Sequence, residues 1–321
     1  MASETDQPLL RVENLKKYYS VSGGMFFRKG GLVKAVDGVS FAIYPGETLS
    51  LVGESGCGKS TIGKTIVKLE KPTAGNIFFQ GQEVFSAQAH SGTDAQMIFQ
   101  DPYSSLNPRK RIGDILREPI KAHGLLAGQA VNARVNELLE MVGISASYAN
   151  RYPHEFSGGQ RQRIGLARAL SVNPRLIVCD EPVSALDVSI QAQILNLLKE
   201  LQENLQLTYL FIAHGLGAVK YISNRTAVMY LGKIVEVAET RELFRQPQHP
   251  YTKALLDAYP IPNPKLRSVQ RIVLEGEAQN ESQPHSGCNF HARCPFATAR
   301  CSEQEPLLIG EEHQVACFYP L

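Results

Sequence analysis

Leu49-Ser50-Leu51-Val52-Gly53-Glu54-Ser55-Gly56-Cys57-Gly58-Lys59-Ser60-Thr61 is the stretch that decides the fold. Leu49–Val52 has the pattern of a buried strand. Gly53–Ser60 fits the phosphate-binding pattern G-x-x-x-x-G-K-[ST]. Thr61–Leu69 then reads as a helix. Strand, glycine turn and helix in that order form the context in which this pattern holds phosphate. Its glycines let the backbone curl so that successive N–H groups face phosphate oxygens, and the helix adds its positive end. Lys59 supplies a point charge to the outer phosphates. Ser60 offers a hydroxyl to Mg²⁺, and Thr61 helps on the phosphate. Gly53, Glu54, Ser55, Gly56, Cys57, Gly58, Lys59, Ser60 and Thr61 are therefore the expected phosphate site. A glycine-rich turn without function is the competing reading, and the flanking elements weigh against it.

Working outward, Leu9–Leu15 and Val39–Ile43 read as strands, with the glycine-containing stretch Gly23–Gly31 between them. Ala95–Phe99, Leu176–Cys179, Thr208–Ala213 and Ala227–Leu231 read as further short strands. Ile112–Val142 turns helical, Arg163–Leu170 is another helix, and Asp187 suits the cap of a helix carrying Ile190, Ile194, Leu197, Leu198 and Leu201. Such alternation implies an α/β core with a mainly parallel sheet. Asp180 and Glu181 end the apolar strand Leu176–Cys179. The first suits Mg²⁺, and the second suits orienting an attacking water. Two solvated acids capping a strand end are the bland alternative.

Composition bounds the rest. The chain has 321 residues and a formal net charge of +2, so no global field draws it to nucleic acid. Its start, MASETDQPLL, lacks the basic and apolar pattern of a signal peptide. No apolar run approaches the ~18 residues of a spanning helix, so membrane association is expected only through partners. No internal repeat marks a fused pair of cassettes. Six cysteines, four of them in the last 34 residues, are too unevenly spread for a disulfide scaffold.

A second string, Phe156-Ser157-Gly158-Gly159-Gln160, resembles the signature loop of ABC ATPases, and with the phosphate loop it identifies residues 9 to about 260 as similar to an ABC transporter nucleotide-binding subunit. The resemblance implies a P-loop ABC ATPase cassette: a RecA-like core, an antiparallel β subdomain and a helical insert at about 101–165. It implies Tyr19 stacking on adenine (Tyr18 being the alternative), Gln100 of Met97-Ile98-Phe99-Gln100-Asp101-Pro102 as the Q-loop glutamine, and Glu181 as the catalytic base. His214 resembles the switch histidine, and Asp187 belongs to the D-loop Ser184-Ala185-Leu186-Asp187. Mg²⁺ would be held by Ser60, Gln100 and Asp180. Ser157, Gly158, Gly159 and Gln160 would bind the γ-phosphate of ATP held by an opposite subunit. One departure stands out: the residue after the switch histidine is usually acidic in the family, and here it is Gly215.

Tyr103-Ser-Ser-Leu-Asn-Pro-Arg109, Arg151-Tyr-Pro-His-Glu-Phe156, Glu181-Pro-Val-Ser-Ala-Leu-Asp-Val-Ser189 and His249-Pro-Tyr-Thr252 resemble the oligopeptide and dipeptide importers, most of all their second, "F"-type ATPase subunit. This implies ATP-driven peptide import, pairing with a related ATPase, two membrane permease subunits and an extracytoplasmic peptide-binding protein. It also implies a peripheral place at the cytoplasmic face of the membrane. Nickel and glutathione systems share the motifs. Residues 1–262 would form the ATPase domain and 263–321 a cysteine-rich extension set apart from the ATP motifs.

In that tail Cys288, Cys294, Cys301 and Cys317 are separated by five, six and fifteen residues. Paired C-x-x-C knuckles are absent. The expected ligand is a [4Fe–4S] cluster, with zinc or no metal as the other readings. His285, His291 and His313 lie nearby, while Cys57 and Cys179 read as packed residues. Arg28-Lys29 and Arg109-Lys110-Arg111 read as solvated faces, the second with membrane-subunit contact as a minority reading. A non-transport ABC ATPase acting on nucleic acid or the ribosome, or a redox-sensing regulatory subunit, are the competing functions.

Overall fold

The computed structural model describes residues 7–20, 31–86, 92–258 and 287–321. Most of the Gly23–Gly31 stretch, Arg28-Lys29, His285 and the expected boundary near residue 262 lie outside them. In chain order the elements are β1 (Leu10–Ser20), β2 (Leu32–Ile43), β3 (Thr48–Val52), α1 (Lys59–Ile66), β4 (Ala74–Phe79), β5 (Gln82–Glu83) and β6 (Ala95–Ile98). Then come α2 (Pro102–Ser105), α3 (Ile112–Ala122), α4 (Gln129–Met141), α5 (Gly158–Leu170), β7 (Leu176–Asp180), α6 (Val188–Leu205), β8 (Thr208–Ala213) and α7 (Leu216–Ile222). Last are β9 (Arg225–Tyr230), β10 (Lys233–Glu239), α8 (Thr240–Arg245), α9 (Pro250–Ala258), α10 (Ala299–Glu303) and β11 (Gln314–Val315).

Two sheets carry the chain. An antiparallel sheet has the order β2-β1-β4-β5, and a larger sheet has the order β11-β10-β9-β3-β8-β7-β6. β9, β3, β8, β7 and β6 run parallel. Every residue of β3, β7 and β8 is buried, the near-continuous apolar pattern of strands covered on both faces. Alternate residues then serve different cores. Leu51, Val178, Leu210 and Ile212 pack with Ile62 and Ile66 of α1 and with the antiparallel sheet. Val52, Ile177, Cys179 and Phe211 pack towards the helices, including Ile115, Leu116, Val135 and Leu138 of the insert. Ile112, Ile115, Leu116 and Ile120 give α3 one apolar face. Among the described residues no helix is long and apolar enough to cross a membrane.

The extension completes the large sheet. β11 pairs antiparallel with β10, placing Val315 opposite Glu236. Glu236 is fully buried, and its carboxylate accepts the backbone N–H groups of Gln248 (2.7 Å) and His249 (2.9 Å) and pairs with His313 Nε2 (2.6 Å). A buried carboxylate needs such partners, so this residue locks β10, the start of α9 and the extension together. Burial holds the His249 imidazole down to about 4, and its Nδ1 accepts the Tyr251 N–H at 3.0 Å. Phe290 is 1 % exposed and packs against Tyr230, Tyr251 and His249. The separation of extension from core expected from sequence is not found: the tail is a strand and an aromatic plug of the core.

Candidate functional site

The carboxyl ends of adjacent parallel strands converge on one face. β3 delivers Gly53, β7 ends in Asp180 with Glu181 following, β8 delivers His214, and Gln100 lies two residues past β6. Ligands of open α/β sheets gather at such strand ends. Gly58 caps α1 at φ +104°, where a Cβ would meet the Ala35 carbonyl oxygen at 2.0 Å, so only glycine fits. No side chain caps α1, which leaves its first N–H groups open to an anion. Lys59 is buried, with Nζ donating to the Gly53 (2.8 Å) and Glu54 (2.9 Å) carbonyls. Ser55 and Gly56 are exposed at the tip of the loop. Cys57 is buried beneath it and its thiol is pushed up by burial, in keeping with a packing role.

Ser60 Oγ donates to Asp180 Oδ1 at 2.7 Å. Burial pushes the Asp180 carboxyl upward, the Ser60 bond opposes this, and the neighbouring Glu181 charge adds to it. A cation at this point would relieve the crowding of the two acids. Gln100 Nε2 donates to Glu181 Oε2 at 2.8 Å. Glu181 sits at φ +48°, the left-handed region, with its N–H on the Ile212 carbonyl at 3.0 Å. That conformation in a non-glycine residue stores strain of about 1–3 kcal/mol and recurs at functional sites. His214 is exposed at the end of β8. Gly215 caps α7 at φ −90°, with nothing within 4 Å of a built Cβ. Its backbone is ordinary, so the missing carboxylate leaves a gap rather than a distortion.

Tyr19 is partly exposed, with its hydroxyl on Glu70 and Lys17 Nζ 4.9 Å from its ring centre. Tyr18 turns to Asp37 instead, so Tyr19 is the more open ring. Ser157 caps α5 in a reciprocal box with Gln160: Ser157 N donates to Gln160 Oε1 at 3.0 Å and Gln160 N to Ser157 Oγ at 3.4 Å. Gly159 lies where a Cβ would meet Ile190 Cγ2 at 2.5 Å, fixing α5 against α6. Asp187 holds the cap position of α6, but its side chain makes no capping bond there, contrary to the expectation from sequence. Of the basic cluster, Lys110 pairs with Glu118 at 2.8 Å.

Three features escaped the sequence reading. Tyr251 Oη accepts the Glu54 N–H at 2.9 Å. Arg293, from the extension, forms a two-bonded pair with the Glu54 carboxylate. The His313–Glu236 pair takes up a histidine counted as a neighbour of the cysteines. His-Pro-Tyr-Thr served above only as a branch marker, and nothing in the sequence marks Arg293.

Cys288, Cys294, Cys301 and Cys317 line one cavity of about 20 Å³ beside Phe290 and Phe318. Burial pushes the Cys288 thiol up to about 11, and the Cys294 and Cys317 thiols upward as well. Backbone N–H groups of Phe290, Phe296 and Tyr319 point to the sulfurs of Cys288, Cys294 and Cys317, and Thr298 Oγ1 lies 3.6 Å from Cys301 Sγ. His291 Nδ1 lies 2.7 Å from the Cys288 carbonyl. As placed, however, no three His, Cys, Asp or Glu side chains among the described residues form a group that could hold a metal ion. The four-cysteine metal site expected from sequence is thus met as a gathering of thiols, not as a formed ligand set.

Residues 36–184 match the family "ABC transporter", and residues 235–301 match "Oligopeptide/dipeptide transporter, C-terminal region". The oligopeptide transport ATP-binding protein AppF of Bacillus subtilis is 52 % identical over 99 % of both chains. The oligopeptide transport ATP-binding protein OppF of Salmonella typhimurium is 49 % identical over 98 % of this chain and 97 % of its own. Among solved structures, the dimeric post-hydrolysis ATP-binding cassette MJ0796 with ADP and Pi superposes with a TM-score of 0.62 at 28 % identity, over 72 % of this chain and 99 % of that one. This chain belongs to the ABC transporter ATP-binding proteins of the oligopeptide/dipeptide transporter branch.

Proposed function

We propose that this chain is the ATP-hydrolysing subunit of a membrane importer of oligopeptides or dipeptides, working as one of two cassettes that close on ATP. The observation that carries this reading is the junction at the strand ends, where Ser60 meets Asp180 and Gln100 meets Glu181. Those contacts support a cation and an attacking water between the phosphate loop and the acids. Lys59 and the loop N–H groups hold the phosphates. Ser60, Gln100 and Asp180 hold Mg²⁺, Glu181 orients and deprotonates water, and His214 contacts the γ-phosphate. Tyr19 stacks on adenine.

Ser157, Gly158, Gly159 and Gln160 stand at the start of a 13-residue helix whose N-terminus suits an anion, and they take the γ-phosphate of the opposite chain. Asp187 lies at the dimer interface. The MJ0796 cassette is dimeric with ADP and Pi bound, which supports such closure here. That AppF and OppF are oligopeptide transport ATP-binding proteins supports a peptide as the solute. The partners are a homologous ATPase subunit, two membrane permease subunits and an extracytoplasmic binding protein, with this chain held at the cytoplasmic face through them. In the co-expressed complex, permease subunits should co-purify and a peptide-loaded binding protein should raise ATP turnover. Co-purifying ribosomes or nucleic acid would defeat the transport reading; stimulation by nickel or glutathione alone would replace the peptide.

The four cysteines are proposed to bind a [4Fe–4S] cluster, with zinc as the alternative. As placed, the four thiols form no ligand set; what supports this reading is that they face one cavity and that backbone N–H groups point to the sulfurs of Cys288, Cys294 and Cys317. Bound cations would supply the charge that keeps these buried sulfurs as thiolates. Anaerobically purified protein should contain iron and sulfide in equal amounts, about four of each per chain. Stoichiometric zinc without sulfide would replace the cluster by a Cys₄ zinc site.

A further inference from the structure

Glu54 is the first variable residue of the phosphate loop, and it is held from three sides. Its N–H donates to Tyr251 Oη (2.9 Å), its carbonyl accepts Lys59 Nζ (2.9 Å), and its carboxylate accepts both terminal nitrogens of Arg293, at 3.0 and 3.1 Å. The parallel two-bonded form is the strongest and most directional an arginine makes with a carboxylate. The pair is mostly shielded, with side-chain exposures of 11 % for Arg293 and 27 % for Glu54. Arg293 Nη1 also donates to Tyr230 Oη at 3.3 Å.

Arg293 comes from the extension, 239 residues away in sequence, and its position is tightly fixed. It ends the one-turn segment His291–Arg293 between Cys288 and Cys294. Phe290 anchors that turn among the aromatic rings of the core, Asn289 Nδ2 donates to the Leu231 carbonyl at 3.1 Å, and Cys288 N donates to the Cys301 carbonyl at 2.8 Å. The turn is thereby tied both to the core beside the phosphate loop and to the rest of the cysteine segment.

We propose that Arg293 is a positioning residue for nucleotide binding: through its pair with Glu54 the C-terminal extension fixes the phosphate loop and neutralises the one carboxylate that the loop carries. Without Arg293, Glu54 keeps its charge in a loop built to receive a polyanion, and Glu54 loses one of its three restraints. The loss falls on ATP affinity more than on the chemical step, because Asp180, Glu181 and His214 are untouched. This inference rests on the reading of Gly53–Ser60 as the ATP phosphate site.

The test is a double-mutant cycle in the full-length chain, reading equilibrium binding of a non-hydrolysable ATP analogue. Arg293→Ala should weaken binding about tenfold, as loss of a charged hydrogen-bond pair does. Glu54→Gln should weaken binding less than Arg293→Ala does, because it leaves no unpaired carboxylate on the loop, and for the same reason the Arg293→Ala/Glu54→Gln pair should recover part of the loss. Arg293→Lys, which keeps the charge and loses the fork, should fall between. In the assembled transporter Arg293→Ala should raise KM for ATP with kcat nearly kept. Unchanged binding in Arg293→Ala, or a double variant as weak as the single one, would overturn the inference; the latter would mean that Arg293 only supports the fold. If Arg293→Ala fails to fold, Arg293→Lys with and without Glu54→Gln decides it by the same comparison. Wild-type chain that binds no ATP would overturn the nucleotide site itself, whereas binding indifferent to Arg293 would overturn only this step.

Discussion

The phosphate loop and the cysteine extension take their positions differently: Gly53–Ser60 turns on contiguous residues, whereas residues 287–321 are held by contacts with residues distant in sequence. Gly53–Ser60 forms its turn largely from its own residues, since Gly58 turns the chain and α1 begins at Lys59, with Tyr251 and Arg293 holding Glu54 from outside. The extension needs β10, α9 and the aromatic cluster to take any position, through Val315 on Glu236, His313 on Glu236 and Phe290 among Tyr230, Tyr251 and His249. A self-sufficient site should lose function locally when one residue is changed. A borrowed one should lose its docking as a unit.

The largest expected effect lies on the self-sufficient side. Glu181→Gln keeps the shape of the side chain and can keep the contact with Gln100, but it removes the base. Hydrolysis in the assembled complex should fall by ~10²–10⁴-fold while ATP binding persists. The measurement needs the partner cassette's own site disabled. Turnover within a few-fold of wild type would place the base elsewhere and remove the clearest local effect from the comparison.

On the borrowed side, Phe290→Ala should act on many residues at once. Truncating a fully buried phenylalanine costs roughly 3–5 kcal/mol. That cost should appear as faster hydrogen exchange and proteolysis across residues 287–321, with β3, β7 and β8 still protected. Because Arg293 rides on the same turn, ATP affinity should weaken alongside, as expected for Arg293→Ala. Uniform loss of protection over the entire chain would show that the extension and the core unfold together, and the distinction drawn above would disappear.

The same contrast explains what could be read in advance. β3, β7 and β8 were legible nearly to their ends because fully buried parallel strands are plain apolar runs. β4 and β10 were not. β4 carries Gly75 at φ +84° and Asn76, while β10 holds Glu236 within its apolar run, a buried charge explained only by partners distant in sequence. α5 starts at Gly158 rather than near Arg163, since two glycines depress helix propensity; the Ser157–Gln160 capping box was the available signal. Asp187 was the right residue type in the right place without the bond expected of it. The phosphate loop, acids, glutamine and histidine were legible because their chemistry constrains short strings. Arg293 was not, since a lone arginine between cysteines carries no pattern until the fold sets it on Glu54.

The smallest effect concerns Gly215. Its φ of −90° and the open space around it mean that aspartate would enter without strain, at the cap of α7. Aspartate is a better cap than glycine by only a few tenths of a kcal/mol, so the melting temperature should rise slightly or hold. The instructive readout is hydrolysis at the composite site. If the missing carboxylate only leaves a gap beside His214, Gly215→Asp should keep or modestly raise turnover, with ATP affinity unchanged. A fall in turnover without loss of stability would mean that the glycine's freedom is itself used as His214 moves. The phosphate-loop face would then depend on flexibility as well as on fixed groups, which is the point at which its self-sufficiency would end.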